Sequence, residues 1–373
     1  MTEVHSTLDV ALGERSYPIH IGAGLIDRAD ELLAPCIPLR RTVIITDENL
    51  ARTQHPVHLV AALERAGIAS RTYVLPVGEA TKSFRFLEQV VDEFLSFGME
   101  RRSTVIALGG GVIGDLVGFA AAATLRGIDF IQVPTTLLAQ VDSAVGGKTG
   151  INTRQGKNLV GAFHQPRAVL IDTAVLDGLP ARELRAGYAE VAKYGVIRDA
   201  GDLFTWLEAN GAAVLAGDPV ARAEAVRRSL EVKAAIVAAD EHETTGERAL
   251  LNFGHTFAHA YEALADYDGS LLHGEAVAVG MVKAMALSVR LGHCAPVDLE
   301  RLRSHLDGLG LPTRVAEVSN RDFPVDDLLA AMGRDKKVEA ARIRFVLARR
   351  IGEAFTSADV PPETVRTVLA EDV

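Results

Sequence analysis

Residues 103–120 read STVIALGGGVIGDLVGFA. A β-branched apolar run, Ser103 to Leu108, meets a cluster of glycines, and the cluster opens directly into a helical period. Gly109, Gly111 and Gly114 satisfy G-x-G-x-x-G. In a strand–loop–helix setting that pattern has physical content. Glycines let the backbone approach a pyrophosphate closely, and the helix N-terminus offers free N–H groups and the positive end of its dipole. A tight βα turn needing positive φ would use glycines too, so it is the setting that points to dinucleotide phosphates. Two features depart from the Rossmann pattern: the loop follows roughly the third strand, and no acidic residue is well placed for a ribose. The stretch predicts a nucleotide-binding α/β domain of a non-standard kind.

Outward from it, short β-branched runs alternate with helical segments. The runs are RTVIIT (41–46), RTYVL (71–75), IDFIQV (128–133) and AVLI (168–171), with helical periodicity at 81–97 and 115–125. Such alternation predicts a mostly parallel sheet. Beyond Leu179-Pro180, where Pro180 suits the start of a helix, long amphipathic helices take over, and extended runs return near 343–347. The expected division is an α/β nucleotide-binding domain over 1–179 and a largely α-helical domain over 180–373. Segment 134–166, rich in Gly, Thr, Asn and Lys, reads as one long irregular loop, a length usually functional or mobile.

A chain of 373 residues is long for one core, which agrees with two domains. Lys plus Arg number 39 against 49 Asp plus Glu, a net charge of −10 that repels nucleic acid and anionic lipid. No apolar run approaches the ~18 residues of a membrane span, and the N-terminus lacks the basic-then-apolar order of a signal peptide. Cys36 and Cys294 fit no metal or redox spacing and read as inert thiols of a reducing compartment. A cytoplasmic protein with neither nucleic acid nor membrane as partner is expected.

The stretch NFGHTFAHAYE (252–262) places His255 and His259 one helical turn apart on one face. Spacing alone leaves two readings open: co-ligands of one metal ion, or a helix face with one solvated histidine. His58, His164 and His293 stand without a partner set.

Taken in order, GGGVIGDLVGFAAAATLRGIDFIQVPTTLLAQVDSAVGGKTGINTRQGKNLVGAFHQP (109–166), GYAEVAKYG (187–195), LLNFGHTFAHAYEA (250–263), LLHGEAVAVGM (271–281) and RDKKV (334–338) closely resemble the 3-dehydroquinate synthases of the sugar phosphate cyclase family. The likeness runs from about Pro76 to Lys337. It implies an NAD-binding α/β domain and a helical metal- and substrate-binding domain that enclose the site. It implies zinc, with cobalt as an alternative, on Glu190, His255 and His273, while His259 faces the substrate's phosphate. One carboxylate and two imidazoles leave coordination positions open, as a catalytic ion requires. The nucleotide side implied by the resemblance comprises Asp47, Glu79, Lys82, Gly110, Gly111, Asp115, Thr135, Thr136 and Asp142, with Lys148 and Lys157 touching both ligands.

Lys148, Lys157, Lys193, Lys233, Arg248 and Lys336 each read singly as a solvated surface charge. Together with Asn158 and Asn252, in the matched motifs, they resemble a clamp for a substrate carrying a phosphate and a carboxylate, since lysine suits phosphate and Arg forks suit carboxylate. Arg126 of TLRG would reach a neighbouring subunit's site, which implies a homodimer.

The implied reaction is that of aromatic amino acid biosynthesis through the shikimate pathway: 3-deoxy-arabino-heptulosonate 7-phosphate to 3-dehydroquinate and phosphate. Transient oxidation by NAD acidifies the C–H beside the phosphate ester, phosphate leaves, hydride returns, the ring opens and an intramolecular aldol closes the carbocycle. Lys148, Asn158, Lys193 and His259 would position the phosphate, whose own oxygen takes the proton, with His259 or Glu243 assisting through water. Lys233, Arg248, Asn252 and Lys336 would orient the carboxylate and hydroxyls. Three alternatives compete. A sister cyclase would change the carboxylate-end residues; a metal-dependent polyol or alcohol dehydrogenase would lack the lysines of GGKTGIN, GKN and EVAKYG; a catalytically silent scaffold would not keep a full ligand set.

Overall fold

The computed structural model describes residues 5–198, 202–335 and 343–371. The chain forms two compact units, one of Met1–Leu179 with Gly217–Ala238, the other of Pro180–Ala216 with Ala239–Val373.

The first unit is built on β1 (His5–Val10), β2 (Tyr17–Gly22), β3 (Arg41–Asp47), β4 (Ala69–Leu75), β5 (Thr104–Gly109), β6 (Asp129–Pro134) and, after a separate hairpin of β7 (Lys148–Thr153) and β8 (Gly156–Phe163), β9 (Ala168–Asp172). The sheet order is β1-β2-β9-β6-β5-β3-β4. β1 runs antiparallel to β2 and every other neighbour is parallel. Its helices are α1 (Ala29–Leu32), α2 (His55–Arg65), α3 (Phe84–Ser96) and α4 (Gly111–Ala123). β5 is buried at every position, as a central strand covered on both faces must be. On one face Val43, Ile45, Val105, Ala107 and Phe130 pack against Val90 and Phe94 of α3 and Ile113, Leu116 and Val117 of α4. α4 lies close because two of its residues lack a Cβ: one on Gly118 would stand 2.4 Å from Thr149 Cγ2, and one on Gly114 2.6 Å from Gln132 Oε1.

From β3 the chain crosses to β4 on one side, then returns to β5 on the other. The carboxyl ends of β3 and β5, Asp47 and Gly109, therefore flank a topological switch point, where open α/β sheets bind ligands.

Three expectations change. The glycine loop follows the fifth strand in the chain, because β1 and β2, an edge hairpin with polar residues along it, precede the runs read from sequence. Segment 134–166 is not one irregular loop. It holds a π-helical turn at Ala139–Ser143 and the β7–β8 hairpin, in which a Cβ on Gly161 would stand 2.0 Å from Thr149 O. Glycine there marks close cross-strand approach rather than looseness. Lastly, the break at 179/180 is not a single one. Helix α7 (Pro219–Ala239) falls almost wholly with the first unit, fastened by Arg222 Nη1 to Asp177 Oδ1 (2.5 Å) and Lys233 Nζ to Asp142 Oδ1 (2.7 Å).

The second unit comprises α5 (Ala181–Ile197), α6 (Leu203–Ala216), α8 (His255–Leu264), α9 (His273–Arg290), α10 (Pro296–Gly308), α11 (Val325–Asp335), α12 (Pro362–Ala370) and the β10 (Phe345–Arg350)/β11 (Glu353–Ser357) ribbon. Every residue from Gly274 to Ser288 is buried, which makes α9 the axis of the unit. Even its Lys283 is inside, donating from Nζ to Val368 O (3.0 Å) near the end of α12. Among the described residues no helix is long and apolar enough to cross a membrane.

Candidate active site

In the second unit, α5 is buried from Ala186 to Ile197, and Glu190 on it is wholly inaccessible. A carboxylate so placed must be neutralised by its neighbours. Lys193 Nζ, one turn on, stands 2.5 Å from Glu190 Oε2. His255 Nε2 and His273 Nε2 stand 3.5 and 3.4 Å from Oε1. No directed hydrogen bond reaches either Glu190 oxygen; the carboxylate is held by the Lys193 ion pair and faced by the two imidazoles. The far ring nitrogens are tied back: His255 Nδ1 lies 3.2 Å from Phe253 O, and His273 Nδ1 3.3 Å from Glu262 Oε2. A proton on Nδ1 donated outward leaves Nε2 with a free lone pair aimed inward, as a metal-ligating imidazole needs.

Burial by itself would raise the Glu190 carboxyl, but Lys193 and the two imidazoles hold it well below the usual range. Burial lowers His255, with Glu190 opposing. It works to lower His273 as well, yet the two carboxylates on its ring nitrogens bring that group up to about 10. An anionic oxygen and two imidazoles, their ligand atoms within 4.8 Å of one another, fit a dication that replaces the His273 proton. His259 is not in this group; its ring centroid lies 5.5 Å from that of His255. The residue that completes the set comes from α9, which helical spacing could not reveal.

Glu262 was not singled out from sequence, although it lies seven residues after His255, on the same face of α8. Through His273 Nδ1 it fixes that ring's orientation and basicity. We predict that Glu262→Gln lowers zinc affinity about 10–100-fold while the fold holds, measured by competition against a chromophoric chelator; unchanged affinity would remove the orienting role.

Arg248 is buried 3.6 Å from Glu243 Oε1 and donates from Nη1 to Glu241 O (2.7 Å), on a short 3₁₀ segment that ends at Asn252. Asp240 shapes that segment, accepting from the N–H groups of Thr244, Thr245, Gly246 and Arg248 at 2.7–3.2 Å. Burial acts to raise Asp240; the N–H groups of Thr245, Arg248 and Thr244, with the Thr245 hydroxyl, outweigh it and bring the carboxyl down to about 2. A depressed native value contributes stability above the ordinary aspartate range that is lost as pH falls through the native one. Asp240→Asn should therefore lower the melting temperature by several degrees at pH 7, and the gap from wild type should narrow between about pH 4 and pH 2. A gap independent of pH in a calorimetric scan would refute the assignment. Lys336 lies outside the described residues.

In the first unit Gly110 caps α4 and Gly111 begins it, leaving the first N–H groups of a long helix at the carboxyl end of β5. Cβ atoms would meet Thr136 Cγ2 at 3.2 Å from Gly110 and Ser143 Oγ at 2.9 Å from Gly111, a cradle only glycine leaves open. Thr135 N donates to Gly109 O (3.0 Å), which brings the β6 exit, with Thr136, beside the loop. Asp47 Oδ1 accepts from Asn49 N and Leu50 N and so holds the β3 exit.

Lys82 is 4% exposed and donates from Nζ to Asp115 Oδ2 (2.6 Å) and Asn158 Oδ1 (2.5 Å), with Glu79 Oε1 at 3.8 Å. Burial raises the Asp115 carboxyl and Lys82 restrains the shift. Asp142 sits in the π-helical turn, a distortion frequent at functional sites. Lys233, expected at the carboxylate end of a clamp, bonds to both the side chain and the carbonyl of Asp142 within this unit. Lys148 is exposed at the start of β7; Lys157 and Asn158 lie on β8. Leu125 and Arg126, on an exposed turn after α4, take consecutive left-handed conformations, φ 52° and 73°.

Residues 72–186 match the family model described as 3-dehydroquinate synthase N-terminal, and 187–338 the one described as 3-dehydroquinate synthase C-terminal. The 3-dehydroquinate synthase of Rhodospirillum rubrum is 58% identical over 365 residues, 98% of this chain and 94% of that protein. Among solved structures, 2-epi-5-epi-valiolone synthase from Streptomyces hygroscopicus subsp. jinggangensis, with NAD+ and Zn2+ bound, superposes with a TM-score of 0.86 at 31% identity, covering 96% of this chain and 97% of that one. A 2-deoxy-scyllo-inosose synthase complexed with carbaglucose-6-phosphate, NAD+ and Co2+ reaches 0.86 at 25% identity, covering 99% and 100%.

Proposed function

We infer how the residues divide the work from what the chain is: it belongs to the 3-dehydroquinate synthase family, the NAD- and metal-dependent, phosphate-eliminating lyases of the shikimate pathway. The substrate is a sugar phosphate, and we assign it as 3-deoxy-arabino-heptulosonate 7-phosphate, leaving as 3-dehydroquinate and phosphate. Glu190, His255 and His273 hold zinc, or cobalt in its place, as the cyclases with Zn2+ and Co2+ in their structures suggest. When bound, the ion supplies Lewis-acid polarisation of two neighbouring substrate oxygens and the dinucleotide supplies reversible hydride transfer. The observation that carries this reading is Glu190, a fully buried carboxylate faced by two imidazoles, the three ligand atoms within 4.8 Å of one another.

The chain's own groups bind and orient. Gly110, Gly111, Thr135 and Thr136 cradle the dinucleotide phosphates, while Asp47, Glu79, Lys82, Asp115 and Asp142 complete its pocket. Lys148, Lys157, Asn158, Lys193 and His259 hold the substrate phosphate, whose oxygen accepts the neighbouring proton, with His259 or Glu243 assisting through water. Arg248, Asn252, Lys233 and Lys336 take the carboxylate end. Holding one substrate through several steps keeps reactive intermediates from escaping. The enzyme acts in the cytoplasm as a homodimer in which Arg126 serves the neighbouring site; the strained pair Leu125–Arg126 supports this, since such backbone persists where function requires it. The deciding experiment mixes purified protein, NAD+, zinc and the heptulosonate phosphate and follows phosphate and NADH together. Phosphate release without net NADH is expected, and stoichiometric NADH accumulation would replace the cyclase by a dehydrogenase.

A further inference from the structure

The β7–β8 hairpin carries Lys157 and Asn158, assigned above to the substrate phosphate, and the segments beside it carry Glu79, Lys82 and Asp115, assigned to the dinucleotide. A residue assigned to neither ligand joins them. Asn152 falls at the irregularity in the hairpin, between the paired Ile151 and Thr153. A bulge frees a residue from the ladder and re-aims its side chain. Asn152 N donates to Lys82 O (2.8 Å), its Nδ2 donates to Glu79 Oε1 (2.8 Å), and its Oδ1 accepts from Asn158 N (2.9 Å). Lys82 Nζ closes the ring, bonding at once to Asn158 Oδ1 and Asp115 Oδ2.

Asn158 is left-handed, φ 55°, a conformation that its surroundings must hold. The bonds to its N–H and to its side chain come from Asn152 and Lys82, and Asn152 is itself anchored on Glu79 and Lys82. A dinucleotide that engages Glu79 and the Lys82 ammonium must therefore act on Asn158 by two routes, one through the lysine and one through the asparagine.

We propose that Asn152 is a positioning residue coupling the two subsites, so that dinucleotide bound against Glu79, Lys82 and Asp115 sets Asn158 and Lys157 for the phosphate. The inference rests on the residue roles given under Proposed function. By linkage, phosphate must tighten the dinucleotide by the same factor.

The test is calorimetric titration of NAD+ into the full-length protein, with and without saturating inorganic phosphate, the reaction's product. In wild type, phosphate should lower the NAD+ Kd by about fivefold or more. In Asn152→Ala, which removes the asparagine route and leaves the one through Lys82, that ratio should fall clearly below the wild-type value, with zinc content and circular dichroism unchanged. Should the alanine variant not fold, Asn152→Asp keeps volume and the acceptor for Asn158 N while setting a second carboxylate against Glu79, and its ratio should fall likewise. A wild-type ratio of one, or a folded variant that keeps the wild-type ratio, overturns the coupling. Failure of NAD+ to bind wild type at all overturns the underlying role assignment and the coupling with it, and is recognisable because no titration signal appears in either arm.

Discussion

Glu190→Gln should purify without its metal and lose activity on the order of 10³-fold or more, since a metal's several kcal/mol of charge stabilisation converts at about 1.4 kcal/mol per tenfold. The substitution keeps shape and removes charge. What remains at the centre is a neutral amide, two imidazoles and Lys193, whose side chain is 1% exposed and would have lost its anionic partner. Breaking a buried pair from one side costs about 3–5 kcal/mol, so part of any activity loss will come from unfolding. The measurement that separates the two effects is zinc per folded chain, by mass spectrometry after dialysis of material selected by gel filtration. His259→Ala is the companion: it should keep stoichiometric zinc and lose rate. A glutamine variant with full zinc would sink the centre as described, and metal loss in the His259 variant would restore the pairing of His255 with His259.

That pairing shows where sequence reading stops. The α/β class, the glycine loop and the helical second half follow from periodicity, because burial on both sheet faces and helix amphipathicity are both written in residue order. Ligand geometry is not. His255 and His259 share a helix face, but the inward-pointing set joins α5, α8 and α9 through tertiary packing. Only likeness to a known family brought Glu190 and His273 to His255 before the structure did. Asn152 escaped for a related reason: it sits inside a glycine-rich segment that reads as loop, and its bonds to Glu79 and Asn158 span 73 and six residues. Helix α7 shows the same limit, since its position is set by Arg222–Asp177 and Lys233–Asp142, pairs that no local pattern announces.

Gly274→Ala should be the most damaging glycine-to-alanine change among the described residues. A Cβ at Gly274 would stand 1.8 Å from Ala186 O and 2.4 Å from its carbonyl carbon, a clash with backbone that no rotamer relieves. Ala186 lies one turn before Glu190 on α5, and Gly274 directly follows His273 on α9. The glycine therefore sets the distance between the two helices that bring carboxylate and imidazole together. A similar contact brings α8 in: a Cβ on Gly280 would stand 2.2 Å from Gly254 O, beside His255. Overpacking costs ~1–3 kcal/mol and more when backbone must shift, so a fall in melting temperature of several degrees or more should accompany a loss of zinc affinity beyond that of Glu262→Gln. Gly308→Ala is the control, because a Cβ there meets nothing within 4 Å and alanine stabilises a helix by up to about 1 kcal/mol over glycine. If Gly274→Ala melts with wild type and keeps its zinc, then α5 and α9 are not held at this spacing by the missing side chain, and the metal centre owes its geometry to something else.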